Sequence, residues 1–216
     1  MSTAELISLA DRHYLPGDAS RKGDRLLRVY GRMLTEFRHQ PIALLELGVY
    51  RGASLRIWRD YFPRSAIVGI DIEPIRLPDL PNVHIVQGDQ ADPETLDRAT
   101  AAIGGSQFDI IIDDASHVGV KSKGSFAHLF IHGLKPSGLY FVEDYAAPLL
   151  PNWPDGAPFT RPPAASLDGY QHGMIGFLKQ IIDDMAIGVI EMESHYPLAE
   201  IAFYPNICVI RKAPAT

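Results

Sequence analysis

The apolar positions of this chain fall into short unbroken runs separated by stretches in which they recur every three or four residues. Unbroken runs of four to eight read as strands buried on both faces, and the 3.6-residue period reads as amphipathic helix. Ile42–Leu47, Ala66–Ile70, Phe108–Ile112 and Leu139–Val142 are of the first kind, and Val83–Gln87 reads as a further strand. Between them, Ala53–Tyr61, a segment starting near Pro93 and capped by Asp92, and Val120–Leu134 read as helices. Ahead of the first strand, Thr3–Asp11 reads as a short helix and His13–Gly23 as a polar loop. Asp24–Arg38 reads as a helix that sets Leu26, Leu27, Tyr30, Leu34 and Phe37 on one face. Towards the end, Met174–Met185 reads as a helix, and Ala186–Glu193 and Ile201–Arg211 as strands. Tyr204-Pro205-Asn206 is either a turn between two short final strands or a bulge in one. Strand and helix in alternation predict an α/β fold with a doubly wound, mostly parallel sheet.

Composition narrows the picture. With 216 residues, 46% of them hydrophobic, the chain can bury one sizeable core, and residues 1–216 are expected to form a single domain. Within it, 1–40 is an N-terminal helical segment. The proline-rich stretch 146–173 is a loop long enough to be a lid, with Trp153, Phe159, Tyr170 and His172 able to line an acceptor pocket. A net charge of −6 argues against a nucleic-acid partner, which calls for a basic face. Arg21, Lys22, Arg25, Arg28 and Arg32 could meet a phosphate or carboxylate, but a solvated face is the expectation. A single cysteine, Cys208, excludes an internal disulfide. The first residues do not read as a signal peptide, and no apolar run reaches the ~18 residues of a membrane span, so a soluble, cytoplasmic protein is expected.

The chemistry gathers where strands end. Glu46-Leu47-Gly48-Val49-Tyr50-Arg51-Gly52 follows the first strand and opens a helix, the arrangement in which glycines admit a ligand to the backbone and free N–H groups meet it. A carboxylate inside that turn would repel a pyrophosphate but suits an amino-acid moiety. Asp71, ending the second strand, is placed for a ribose diol. Asp89, ending the third, is placed for an exocyclic amine such as that of adenine. The fourth strand runs into Asp113-Asp114-Ala115-Ser116-His117 and the fifth into Glu143-Asp144. Asp114, Glu143 and Asp144 at neighbouring strand ends repel one another unless a cation lies between them, and such oxygen ligands suit Mg²⁺. His128 and His132 are one helical turn apart but lack the acid of a zinc-protease motif, and read as core or surface residues.

The spacing E-x-G-x-x-x-G followed by a strand ending in Asp resembles motifs I and II of class I S-adenosylmethionine-dependent methyltransferases. With GDQ, DIIIDDASH, LKPSGLYFVEDY and IAFYPNICVIRK, the stretch from about residue 40 to 212 resembles the catalytic domain of macrolide-sugar (mycinamicin-type) and rhamnosyl O-methyltransferases. The resemblance implies a Rossmann-like, seven-stranded sheet with an antiparallel C-terminal strand. It implies S-adenosylmethionine near Glu46, Gly48, Tyr50, Gly52, Ser54, Asp71, Asp89, Gln90 and Asp113. It further implies Mg²⁺ on Asp114, Glu143 and Asp144, His117 as the base, and a small-molecule hydroxyl, such as that of a glycosylated polyketide, as acceptor. Two departures are expected to matter. Ala115 stands where the family's D-D-G-S-H has glycine, and the auxiliary N-terminal domain of the macrolide enzymes has no counterpart, so acceptor and homo-oligomer contacts are left open. A cephalosporin-hydroxylase-like oxidative enzyme and a non-catalytic cofactor-binding protein on the same fold are the rival readings.

Overall fold

In a computed structural model, residues 2–18, 20–77, 79–80, 82–150, 152–155, 172–188 and 194–215 are described. Two helices, α1 (Ser2–His13) and α2 (Asp24–Met33), precede the first strand. The chain then alternates through β1 (Ala43–Leu47), α3 (Ala53–Tyr61), β2 (Ala66–Asp71), β3 (Val83–Gln87), α4 (Pro93–Ala101) and β4 (Phe108–Asp113). It continues with α5 (Gly119–His128), β5 (Leu134–Glu143), α6 (Gly173–Ile187) and the pair β6 (Leu198–Tyr204) and β7 (Ile207–Lys212). Among the described residues the strands form one seven-stranded sheet in the order β3-β2-β1-β4-β5-β7-β6. β1 to β5 are parallel neighbours, and β7 runs antiparallel between β5 and β6. The expected Rossmann-like sheet is what the chain forms, with Pro205-Asn206 as a turn between two strands.

Strand residues alternate between two cores. Leu44, Ile67, Ile110, Ile112 and Phe141 face α1, α2 and α3, and Leu45, Val68, Ile111, Tyr140 and Val142 face α4, α5 and α6. Burial on both faces is why these strands read as unbroken apolar runs. Glu46 is the exception inside β1, a wholly buried carboxylate on the α1–α3 face. Strand reversal lies between β1 and β4, and there the C-terminal ends of the parallel strands open a crevice.

Three element boundaries depart from expectation. Helix α2 stops at Met33, with a single 3₁₀ turn over Thr35–Phe37. Helix α5 ends at His128 and passes through a π turn, Leu129–Gly133, straight into β5. The α6 helix runs through Ala186 and Ile187, where a strand was expected, because Phe177, Leu178 and Ile181 seat it on the second core and helical hydrogen bonding carries past them. The remainder of that expected strand, 189–193, lies outside the described residues. No described helix is long and apolar enough to cross a membrane.

Candidate active site

The turn after β1 is set by three left-handed residues: Gly48 (φ 91°), Tyr50 (φ 51°) and Gly52 (φ 75°). A Cβ on Gly48 would stand 2.2 Å from the Asp114 carbonyl oxygen, so this glycine lets the β1 and β4 turns touch. Asp71 holds the turn from the side. Its Oδ2 accepts the Val49 and Tyr50 N–H groups at 2.9 and 2.8 Å, and its Oδ1 accepts that of Glu73 at 2.9 Å. An ionised carboxylate has about four acceptor positions, so one is left for a ligand.

Two clefts flank this turn. The smaller, about 160 Å³, is lined by Gly48, Asp71, Asp89, Gln90, Ala115 and Lys121 among others. Asp89 accepts the Ala91 N–H at 3.0 Å and the Lys121 ammonium at 2.5 Å, and these two bonds hold its carboxyl below the usual carboxylate range. Gln90 is a strut: its amide donates to Asp113 at 3.0 Å and to Ser125 at 3.1 Å, and its oxygen accepts the Ser116 N–H at 2.9 Å. Asp113, only 1% exposed, lines neither cleft, and burial pushes it up to about 6. Gly52 and Glu46 likewise stand behind the walls, whereas Tyr50 and Ser54 line the larger cleft.

The larger cleft, about 870 Å³, ends at the tips of β4 and β5. There Asp114, His117 and Asp144 each present a donor atom within 4.8 Å of the others, the one such group among the described residues. His117 Nε2 lies 3.5 Å from Asp144 Oδ2 and 3.9 Å from Asp114 Oδ1. Both His117 (φ 51°) and Asp144 (φ 52°) are held in the left-handed region. Such backbone costs on the order of 1–3 kcal/mol each and persists where the surroundings force it. For Asp144 the force is Asn206 in the β6–β7 turn, whose carbonyl accepts the Asp144 N–H and whose amide donates to Asp144 Oδ1. For His117 it includes Trp153, which donates its indole N–H to the His117 carbonyl at 2.9 Å, and Asp155, which accepts the Gly119 N–H at 2.5 Å. The first part of the 146–173 loop is thereby fastened against the site; Phe159 and Tyr170 lie outside the described residues. Ala115 has no left-handed backbone, so alanine fits where glycine was expected.

Glu143 departs from its neighbours. Its Oε1 accepts the Lys22 ammonium at 2.6 Å and the Tyr30 hydroxyl at 2.5 Å. Lys22 also reaches Asp114 Oδ2 at 2.5 Å and lies 3.7 Å from Glu46 Oε1. Burial pushes Glu46 up to about 7 and also raises Glu143, which the Asp114 charge raises further. Burial opposes the charge on Lys22, but Asp114, Glu143 and Glu46 outweigh it and keep the ammonium protonated well above its ordinary range. The expected solvated face is thus corrected at one position. Arg25, Arg28 and Arg32 are exposed, but Lys22 is 4% exposed and forms the floor of the carboxylate cluster. Nothing local in the sequence sets it apart from Arg21 or Arg25. Tyr30, Lys121 and Asn206 were also missed, and for Tyr30 the one signal was a hydroxyl on an otherwise apolar helix face.

A sheet in the order 3-2-1-4-5-7-6 with an E-x-G turn, an acid closing β2 and a strand-end carboxylate–histidine cluster defines a nucleoside-cofactor methyltransferase architecture. The chain belongs to the FtsJ-like methyltransferase family, whose model matches residues 26–133. It is 42% identical over 122 residues to mycinamicin VI 2''-O-methyltransferase of Micromonospora griseorubida, covering 53% of this chain and 30% of that protein. To the Streptomyces olivaceus 8-demethyl-8-(2-methoxy-alpha-L-rhamnosyl)-tetracenomycin-C 3'-O-methyltransferase it is 35% identical over 164 residues, covering 73% and 39%. The crystal structure of MycE methyltransferase from the mycinamycin biosynthetic pathway, in complex with Mg and SAH, superposes with a TM-score of 0.78 at 30% identity. That match covers 97% of this chain and 55% of the MycE chain. The chain spans less than half the length of the curated relatives it matches.

Proposed function

We propose that this protein is a Mg²⁺-dependent O-methyltransferase that moves a methyl group from S-adenosylmethionine to a hydroxyl of a small molecule, a sugar of a glycosylated natural product. The observation that carries this reading is the Asp114–His117–Asp144 group standing directly beside the Gly48 turn. A cation fits there by charge: the single Lys22 ammonium faces three carboxylates, Glu46, Asp114 and Glu143, and Asp144 adds a fourth. S-adenosylmethionine fits by shape and polarity, since the two clefts share Gly48, Asp71 and Ala115 and place Asp71 and Asp89 on the smaller side. The sugar O-methyltransferases among the relatives, and the MycE complexes with Mg, SAH and mycinamycin VI, support the acceptor class.

A sugar hydroxyl is a poor nucleophile near neutral pH because its proton is held tightly. Asp114, Glu143 and Asp144 would hold Mg²⁺, whose chemistry there would be Lewis-acid polarisation of that hydroxyl. His117 takes the proton at Nε2, and Asp144 and Asp114 on either side stabilise the imidazolium that results. General-base help of this kind is typically worth ~10²–10⁴-fold. Trp153 fixes the backbone of His117 through its indole N–H. Asp71 and the β1 turn set the distance between the cofactor side and the acceptor side, so the remaining work is alignment. Asp113 and Gln90 hold the β4 turn in place from behind and take no part in proton transfer.

Calorimetric titration of S-adenosylmethionine, with Mg²⁺ and again with EDTA, followed by methyl-transfer assays on glycosylated polyketides, tests the reading. Saturable cofactor binding in both buffers, with turnover in Mg²⁺ alone, is the expected result. Absence of cofactor binding in either buffer overturns it.

A further inference from the structure

We infer that Lys22 is an internal counter-ion which a divalent cation has to displace, so that loading the Asp114–Glu143–Asp144 carboxylates withdraws the Lys22 side chain from the cleft. The inference rests on the metal reading above and concerns what this chain adds to it. Lys22 Nζ bridges Asp114 Oδ2 and Glu143 Oε1 at 2.5 and 2.6 Å, with its side chain 2% exposed. An ion held by the same two residues at the ~2.0–2.1 Å of a Mg–O bond would meet the ammonium at contact range. Two cations on one pair of oxygens repel strongly. One of them leaves.

The ammonium is the one built to leave. Its third neighbour, Glu46 Oε1, is wholly buried, has no hydrogen-bond partner and lies 3.7 Å away, so Lys22 satisfies only two of the three carboxylates around it. A divalent charge on the cluster compensates more of them than one ammonium does. The backbone around Lys22 has open space at its glycines. A Cβ added at Gly17 or Gly23 would meet nothing within 4 Å, and Gly17 has φ 78°. The ends of the segment 14–23 are tied to the flanking helices, through Tyr14 N–H to Ala10 and Leu27 N–H to the Gly23 carbonyl, whereas Asp18 N–H to Leu15 and Arg21 N–H to Asp18 are internal to it. Arg21 pairs with Asp11 and Asp24 at the two ends rather than with the sheet. Tyr14, Ser20 and Lys22 line the larger cleft, so withdrawal opens space beside His117.

Two measurements test this on the whole protein. In the first, wild-type lysines are reductively methylated with and without Mn²⁺ and mapped by mass spectrometry, while paramagnetic resonance counts bound Mn²⁺. Lys22 should be protected without the ion and labelled with it. Bound Mn²⁺ with Lys22 still protected overturns the displacement and leaves the metal reading standing. In the second, Mn²⁺ is titrated into Lys22→Met and Lys22→Arg. Lys22→Met should bind at least about tenfold more tightly than wild type, the factor expected if the ammonium occupies the cluster about nine-tenths of the time. Lys22→Arg, which keeps the charge, should bind no more tightly. Unchanged or weaker binding by Lys22→Met overturns the inference. If wild type binds no Mn²⁺ and Lys22→Met does, the ammonium is the competitor; if neither binds, the inference and the metal reading fail together. Should Lys22→Met not fold, the labelling experiment decides alone.

Discussion

The two halves of the crevice use the same residue types in opposite ways. On the β2–β3 side, Asp71 and Asp89 are partly open to solvent and are met by backbone N–H groups and Lys121. On the β1–β4–β5 side, Glu46 and Glu143 are sunk into the protein, and burial raises both. A carboxylate given donors where it stands is stabilised as an anion and can present a fixed acceptor to a ligand. Carboxylates crowded together in a dry place are a store of uncompensated charge, and they draw in a cation. The first half is suited to holding a polar molecule, the second to attracting metal and protons.

The largest effect that sharpens this contrast is on turnover. Replacing His117 by alanine should cut methyl transfer by ~10²–10⁴-fold, the usual worth of a general base, while cofactor affinity measured calorimetrically stays near wild type. Retained turnover would sink the assignment. Next comes Lys22→Met, which leaves Glu46 and Glu143 buried without their cation. Loss of one partner of a buried pair costs about 3–5 kcal/mol, so denaturant unfolding in EDTA should shift accordingly, and Mn²⁺ should restore much of the loss. Gly48→Ala drives a Cβ into the Asp114 carbonyl at a left-handed φ of 91° and should cost about 1–3 kcal/mol, with cofactor binding weakened on both sides of the crevice.

Acidity separates the halves by sign. A carboxyl raised in the folded state binds protons that the unfolded chain does not, so its contribution to stability is full at low pH and is lost as pH rises. For Glu46 the window runs from about 4.5 to about 7, and for Asp113 from about 3.8 to about 6. Asp89, lowered in the folded state, contributes in the opposite sense, and its share is lost as pH falls below 3.8. Denaturant titrations in EDTA between pH 4.5 and 7 should show the Glu46→Gln variant with a flatter slope than wild type; an unchanged slope breaks the contrast. The smallest expected effect is Asn206→Ala, a few-fold loss of Mn²⁺ affinity as Asp144 loses its side-chain donor, on the order of 1 kcal/mol.

The sheet was legible because strands buried on both faces leave apolar runs with little competing periodicity, as at Leu44, Leu45 and Ile110–Ile112. Acids at the ends of β2, β4 and β5 were legible because chain order in such a sheet places strand ends on one edge. Lys22 was not, since its partners lie 92 and 121 residues away and its neighbours in sequence are ordinary surface arginines. Nor were the left-handed backbones of Tyr50, His117 and Asp144, because no property of a tyrosine or histidine side chain announces them. Propensity alone could not extend α6 over Ala186 and Ile187, where packing on the second core decides.

The β6–β7 hairpin has a consequence for how the fold comes into being. Among the described residues β6 pairs only with β7, and β7 docks between β6 and β5. Until β7 is in place, β6 has no place in the sheet and Asn206 cannot grip Asp144. A nascent chain therefore carries the glycine turn and the β4 terminus before it has a fixed Asp144, and this edge of the crevice closes only once the β6–β7 hairpin has docked.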